Sequence, residues 1–153
     1  MERCHGVRYE EGAANAGDES LNNHLYLESN GQTCFNKPDN YDQKKIRKFA
    51  KQIGRVENMT YDPQEDCFTC TQGRKLSLRR ECTEQTDGQL VSTAWYRCES
   101  CAGCPCRSQC CRAKAPQQPK ELRLQKTFWE KREQTNLRIT SARGIHLRLC
   151  RSI

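Results

Sequence analysis

Six of the sixteen residues in the run YRCESCAGCPCRSQCC, Tyr96 to Cys111, are cysteine. So many thiols in one short segment must pair with each other, bind metal or stay reduced, and each choice restricts the fold. Upstream, Cys67-x2-Cys70 repeats the spacing of Cys101-x2-Cys104. A hairpin pattern lies between the two pairs. RKLSLRREC (74–82) alternates Leu76 and Leu78 with polar residues, and QLVSTAWYRC (89–98) is rich in β-formers. Asp87-Gly88 between them is a tight-turn signal. With that turn, paired residue numbers sum to 175, which sets Thr71 opposite Cys104 and Arg74 opposite Cys101. Strands packed at under ~5 Å would then make Cys70 a near neighbour of Cys101 and Cys104.

Redox compartment decides between disulfides and metal. The start, MERCHGVRYEEGAANAGDES, lacks the apolar run of an export signal, and no stretch approaches the length of a membrane span. The expectation is a cytoplasmic chain, in which disulfides are disfavoured and paired thiols suggest zinc. Asn58-Met59-Thr60 then carries no glycan. Several ligand sets are open. Cys70, Cys101, Cys104 and Cys110 make one, with Cys67, Cys98, Cys106 and Cys111 as spare thiols. An iron–sulfur cluster takes the same four thiolates. A tetrathiolate leaves no open position for substrate, so such a site is structural. Cys4, Cys34, Cys82 and Cys150 lack partner spacing and are expected as small buried residues, and His5, His24 and His146 are isolated.

A metal would matter here because the apolar residues are few. Leu, Ile, Val and Phe number 23 of 153, about 15%, a level at which a compact core needs help from a cross-link. The 26 basic residues outweigh 19 acidic ones, for a net charge of +7, which favours a polyanionic partner such as DNA. Lys44, Lys45, Arg47, Lys48, Lys51 and Arg55 occur without an intervening acid. Ile46, Phe49, Ala50 and Ile53 fall at helical spacing, predicting a helix over 41–53 that ends at Gly54. Its opposite face is a basic stripe, either solvated or in contact with phosphates. Arg79 and Arg80 on the hairpin add to the candidate nucleic-acid surface.

Elsewhere, SLNNHLYLES (20–29) predicts a short helix capped by Ser20 and closed by Asn30-Gly31. TYDPQED (60–66) reads as a loop and RAKAPQQPK (112–120) as a linker. Lys120 to Ile139 reads as helix, with Ser141 capping a last short one.

The runs YDPQEDCFTCTQGRKLSLRREC, YRCESCAGCPCRSQC and GIHLRLCRSI resemble insertion-sequence transposases of the DDE class. The resemblance is to the bacterial subgroup with a cysteine-bearing insert before the last catalytic helix. It extends upstream through AANAGDES, LNNHLYLESNGQTCF and QKKIRKFAKQIGRVENM, in the family's order. It implies an RNase H-like domain in which three carboxylates hold two divalent cations, Mg²⁺ in an intact parent enzyme, for phosphodiester transfer. Asn15 then occupies the position of the middle aspartate, and a neutral amide cannot balance Mg²⁺ charge. The first Asp would lie upstream of Met1 and the last Glu after Ile153, so the expectation is a fragment without its catalytic acids. Asp39, Asp42, Asp62 and Asp66 match no catalytic position and are expected in loops and caps. On the family pattern, Cys70, Cys101, Cys104 and Cys110 fall on the recurring cysteines, with Cys104-Pro105 as its Cys-Pro pair. Cys67 and Cys98 are the alternates.

The expected fold class is α+β, a partial RNase H-like domain with an inserted Cys-rich β-hairpin of zinc-ribbon type and C-terminal helices. The expected boundaries are a strand–helix–strand remnant plus basic helix over 1–58, the metal-binding insert over 59–116 and a helical segment over 117–153. Oligomeric state has no signal in the sequence.

Overall fold

The computed structural model describes residues 10–12, 17, 19–86, 88–111, 115 and 117–150, the stretch 142–150 as backbone only. In chain order the elements are β1 (Glu11–Gly12), α1 (Leu21–Ser29), β2 (Thr33–Cys34), α2 (Arg47–Ala50), β3 (Thr60–Asp62), β4 (Cys67–Thr69), β5 (Lys75–Thr86), β6 (Gln89–Cys98), α3 (Arg107–Cys110), β7 (Glu121–Gln125) and α4 (Lys126–Cys150). This is an α+β chain. Its contacts divide it into two compact units, residues 42–126 and residues 1–41 with 127–153. The basic segment 43–55, grouped with the amino-terminal region in the sequence reading, clusters with the cysteine-rich sheet.

In the smaller unit β1 and β2 run parallel, Glu11 against Thr33 and Gly12 against Cys34, with α1 as the connection. The helix starts and stops as its sequence predicts. Ser20 Oγ accepts the Asn23 N–H at 3.1 Å, and Gly31 takes the left-handed conformation at φ 68° just beyond the Asn30 cap. From α4, Arg132 donates two hydrogen bonds, at 2.7 and 2.8 Å, to the fully buried Glu19 carboxylate, and Lys131 binds Glu28 at 2.6 Å. His24 is buried, and burial lowers its pKa, so it stays neutral at pH 7.

The larger unit is a five-stranded antiparallel sheet in the order β3-β4-β5-β6-β7. The predicted hairpin is its centre. Thr86 pairs with Gln89, and the sum of 175 holds up to Arg80 opposite Trp95. There a bulge at Arg79 slips the register by one, so Leu78 meets Tyr96 and Leu76 meets Cys98. Gly88 is left-handed at φ 78°, as the turn requires; Asp87 lies outside the described residues. One sheet face buries Phe68, Leu76, Ala94, Tyr96 and Cys98. Phe68 packs edge-on to Tyr96 with ring centroids 4.9 Å apart, an arrangement that suits two ring quadrupoles.

Four sequence expectations fail here. The 41–53 helix is broken: a 3₁₀ turn spans Gln43–Lys45, Ile46 is extended (φ −90°, ψ 127°) and exposed, and α2 keeps four residues. Only Phe49 finds a core, and the Asn58 side-chain amide takes the Phe49 and Gln52 carbonyls that a longer helix would use. Residues 60–62, expected as loop, form β3 against β4, which itself pairs with the second edge of β5. Residues 121–125 form β7 rather than helix: Leu122 and Leu124 alternate with polar residues, and the free edge of β6 selects that period of two. The helix after it runs through Ser141 without a break.

Sequence also placed Asp66 in a loop as a bystander, whereas it ties the sheet together. It sits in the β3–β4 turn at φ 46°, which Asp tolerates better than most residues. Its carboxylate accepts the Tyr61 and Tyr96 hydroxyls at 2.7 and 2.8 Å and the Lys126 ammonium at 2.8 Å. Burial opposes its ionisation, but these three bonds outweigh it and hold the carboxyl below its ordinary value. Burial and the Asp66 bond drive the Tyr96 hydroxyl well above its own. No described helix is long and apolar enough to cross a membrane.

Candidate thiol centre and nucleic-acid interface

Two similar turns present the paired cysteines. After β4, the Cys70 carbonyl accepts the Gly73 N–H at 2.9 Å; after β6, the Cys101 carbonyl accepts the Cys104 N–H at 3.3 Å. Each turn needs a left-handed glycine, Gly73 at φ 73° and Gly103 at φ 63°. Arg74 bridges them, its guanidinium donating to Ser100 O at 2.7 Å and Ala102 O at 3.1 Å on either side of Cys101. The expected apposition of Arg74 with Cys101 is thus made through a side chain, because the β5–β6 pairing stops at Leu76 opposite Cys98.

α3 then brings Cys110 to the same end of the sheet, and Lys120 fastens it there. The Lys120 ammonium donates to Cys110 O at 2.9 Å and Gly54 O at 2.8 Å, while its N–H donates to Cys101 Sγ at 3.2 Å. Gly54 has no room for a side chain, since a Cβ there would lie 2.7 Å from Cys110 O. Gly54→Ala is therefore expected to displace the α3 turn and to destabilise the sheet unit by about 1–3 kcal/mol, measured as a lower urea midpoint.

Cys98 and Cys110 each feel the sulfurs of Cys70 and Cys101. Burial pushes the Cys98 thiol up to about 11, with the Cys101 and Cys70 sulfurs adding to the effect. Burial also raises Cys110, with Lys120 opposing and Cys70 and Cys101 adding. The predicted quartet of Cys70, Cys101, Cys104 and Cys110 is only partly gathered. Among the described residues, ligand atoms all within 4.8 Å of one another occur in Asp62, Glu65 and Cys67, and no three thiols of the quartet reach that spacing. Cys67, an alternate from sequence, thus faces Asp62 and Glu65, and Glu65 is also ion-paired with Lys75. Cys98, the other alternate, does lie with Cys70 and Cys101. Cys106 accepts from Gln72 Nε2 at 3.5 Å. Cys34 is buried as expected, and Cys82 is half-buried.

The basic residues divide into two groups. With the helix broken, Lys44 and Lys45 lie on the 3₁₀ turn, Arg47 and Lys48 on α2, and Lys51 and Arg55 beyond it, so they form no single stripe. Lys51 and Arg55 instead line a cleft of about 570 Å³ with Gln52, Gln109, Cys110 and Lys120. The cleft places three cations beside the thiol centre. Arg79 and Arg80 are exposed on the other part of the sheet, next to Trp95. Asn15, which the resemblance alone sets at the position of the family aspartate, lies outside the described residues.

Sequence reasoning missed Asp66 and Lys126, whose partners come from strands up to 60 residues away. It also missed Lys120, read as the end of a linker and the start of a helix. The nearest signal was the density of tyrosine and acid around the second strand pair, which names no contact.

No curated protein and no solved structure gives a significant match to the chain. The family model described as a transposase DDE domain matches residues 69–153, which covers β5 to α4 and every cysteine of the candidate quartet. That stretch is more than half of the chain, and the chain belongs to the transposase DDE domain family.

Proposed function

We propose that this chain is a catalytically inactive, transposase-derived fragment whose sheet unit binds DNA and is held by a structural zinc ion. The observation that carries the DNA reading is the cleft of Lys51, Arg55 and Lys120, three cations on one concave surface with no carboxylate in its lining. Such a surface attracts phosphates by charge and releases their counterions. The family of this chain supports the same partner, since transposition is carried out on DNA.

Inactivity follows from the residue at position 15. In an intact relative, two divalent cations bound by three carboxylates activate the attacking oxygen and stabilise the leaving one. Asn15 offers a neutral amide oxygen in place of the middle carboxylate. The parallel β1–α1–β2 unit is the part of the chain that suits an RNase H-like remnant. For zinc, Cys70, Cys101 and Cys110 are the favoured ligands, with Cys104 or Cys98 as the fourth. The two glycine-bearing turns and the Lys120 N–H on Cys101 suit a thiolate site. Zinc there is structural, and its thiolates call for a reducing compartment such as the cytoplasm.

Two assays test this. Incubated with supercoiled plasmid and Mg²⁺ or Mn²⁺, the purified chain is expected to leave the DNA intact, and nicking that co-purifies with it would remove the claim of inactivity. With labelled duplex DNA it is expected to bind at low salt, with log affinity falling against log salt at a slope of about −3 for three phosphate contacts. Absence of binding at low salt would end the DNA reading.

A further inference from the structure

Arg80, Trp95 and Arg123 face one another across three adjacent strands, Arg80 and Arg123 each in direct register with Trp95. Their guanidinium carbons lie 5.1 and 5.5 Å from the indole centroid. This row lies on the sheet face opposite the buried Leu76, Ala94 and Tyr96. We propose that this Arg–Trp–Arg ladder is a second DNA contact, one that holds the phosphate backbone of a duplex without reading its bases. It rests on the reading of the sheet unit as DNA-binding and adds a site that is not part of the Lys51–Lys120 cleft.

Three features favour that occupant. First, the charge is one-sided: Arg79, Arg80, Arg97 and Glu121 line a shallow cavity of about 470 Å³ around Trp95, and the one acid there is 3.6 Å from Arg97. Arg123 adds a further exposed cation, and the next acid of the ladder on this face, Glu84, lies four residue pairs toward the hairpin tip. Second, cation–π contact with the indole restrains each guanidinium, so less freedom is lost when its N–H groups meet a phosphate. Third, neighbours on both flanking strands occupy Trp95, so bases have little access to its ring and phosphate contact is the mode left open. The ladder also steadies the sheet through cation–π contact, but that role alone would not need the surplus of arginine around it.

The test uses the full chain with a labelled mixed-sequence duplex. The chain has two tryptophans, so Trp129→Phe leaves Trp95 as the sole tryptophan, excited selectively at the red edge of the absorption where tyrosine does not absorb. DNA is expected to change Trp95 emission in step with binding. Arg80→Gln with Arg123→Gln is expected to weaken binding at least tenfold and to reduce the magnitude of the salt slope by about 2. AT-rich and mixed duplexes should bind the parent equally. A double variant that melts like the parent and keeps its affinity and slope would overturn the proposal. Should that variant fold poorly, arginine modification of the unaltered chain decides, read by mass spectrometry with and without duplex. Protection of Arg80 and Arg123 supports the ladder, and equal modification removes it. If Lys51→Gln with Arg55→Gln abolishes binding while the ladder variant binds normally, only this inference fails. If the parent chain binds no DNA, the broader reading fails with it.

Discussion

Removing the proposed zinc ion, or replacing Cys101 with serine, is expected to cost the sheet unit more stability than any other single change. The reason is the thin core. The buried apolar side chains of this unit come from few positions, chiefly Phe49, Phe68, Leu76, Val91, Ala94 and Tyr96, and the end of the sheet carrying Cys70, Cys101 and Cys110 has thiols in place of aliphatic packing. Structural zinc contributes on the order of 10 kcal/mol to folding in the smallest fingers. This unit has a sheet of its own, so a loss of roughly half that is expected, well beyond the few kcal/mol of an ordinary core substitution. Cys101 is the informative position because it joins the Cys70 side to the Cys110 side and receives the Lys120 N–H. A chelator should lower the melting temperature of the parent and leave Cys101→Ser unchanged. Cobalt(II) in place of zinc should give the absorption of a tetrahedral thiolate site in the parent and not in the variant. Comparing Cys104→Ser with Cys98→Ser then identifies the fourth ligand. A parent chain that melts at the same temperature with and without chelator contradicts the zinc assignment.

Asp66→Ala is expected to lower the stability of the same unit by about 3 kcal/mol, seen as a fall in the urea midpoint with unchanged slope. The substitution strands the Tyr96 hydroxyl, on a residue only 1% exposed, and takes from Lys126 its closest counter-charge. It also puts a Cβ without hydrogen-bonding reach at a left-handed position. Asp66→Asn keeps the turn and one acceptor oxygen, so it should lose about half as much. Acid makes the same point without mutation. The folded Asp66 carboxyl is held below its ordinary value of 3.8, so the folded state binds the proton less readily than the unfolded chain. Its contribution is fully present above the ordinary value and disappears as pH falls through the lowered one. The stability gap between parent and Asp66→Ala should therefore be constant from pH 7 to about 5 and narrow below about 4. A gap that persists unchanged at pH 2 would show that ionisation of Asp66 is not what stabilises the turn.

Some of this protein is set by neighbours in the chain. The Ser20 cap, the Gly31 stop and the β5–β6 pairing around Gly88 each depend on residues within a few positions, and the structure has them as the sequence predicts. The resemblance to DDE transposases is also carried by linear motifs, and the family match over 69–153 agrees with it. The thiol centre is intermediate. The paired spacing and the hairpin bring Cys70 toward Cys101, but the Arg79 bulge and the end of β5–β6 pairing at Leu76 alter how they meet.

What only the tertiary structure decided is where weakly committed segments go. Residues 121–125 have a composition that suits either helix or strand, and the unpaired edge of β6 chooses strand. Residues 41–53 have helical spacing, yet only Phe49 has a core to enter and Asn58 takes the carbonyls that would have extended the helix. Asp66 becomes the centre of the sheet because Tyr61, Tyr96 and Lys126 arrive from three other strands or strand ends. Periodicity can state what a segment is able to form, but hydrogen-bond partners supplied from 30 or 60 residues away decide which form satisfies its buried polar groups.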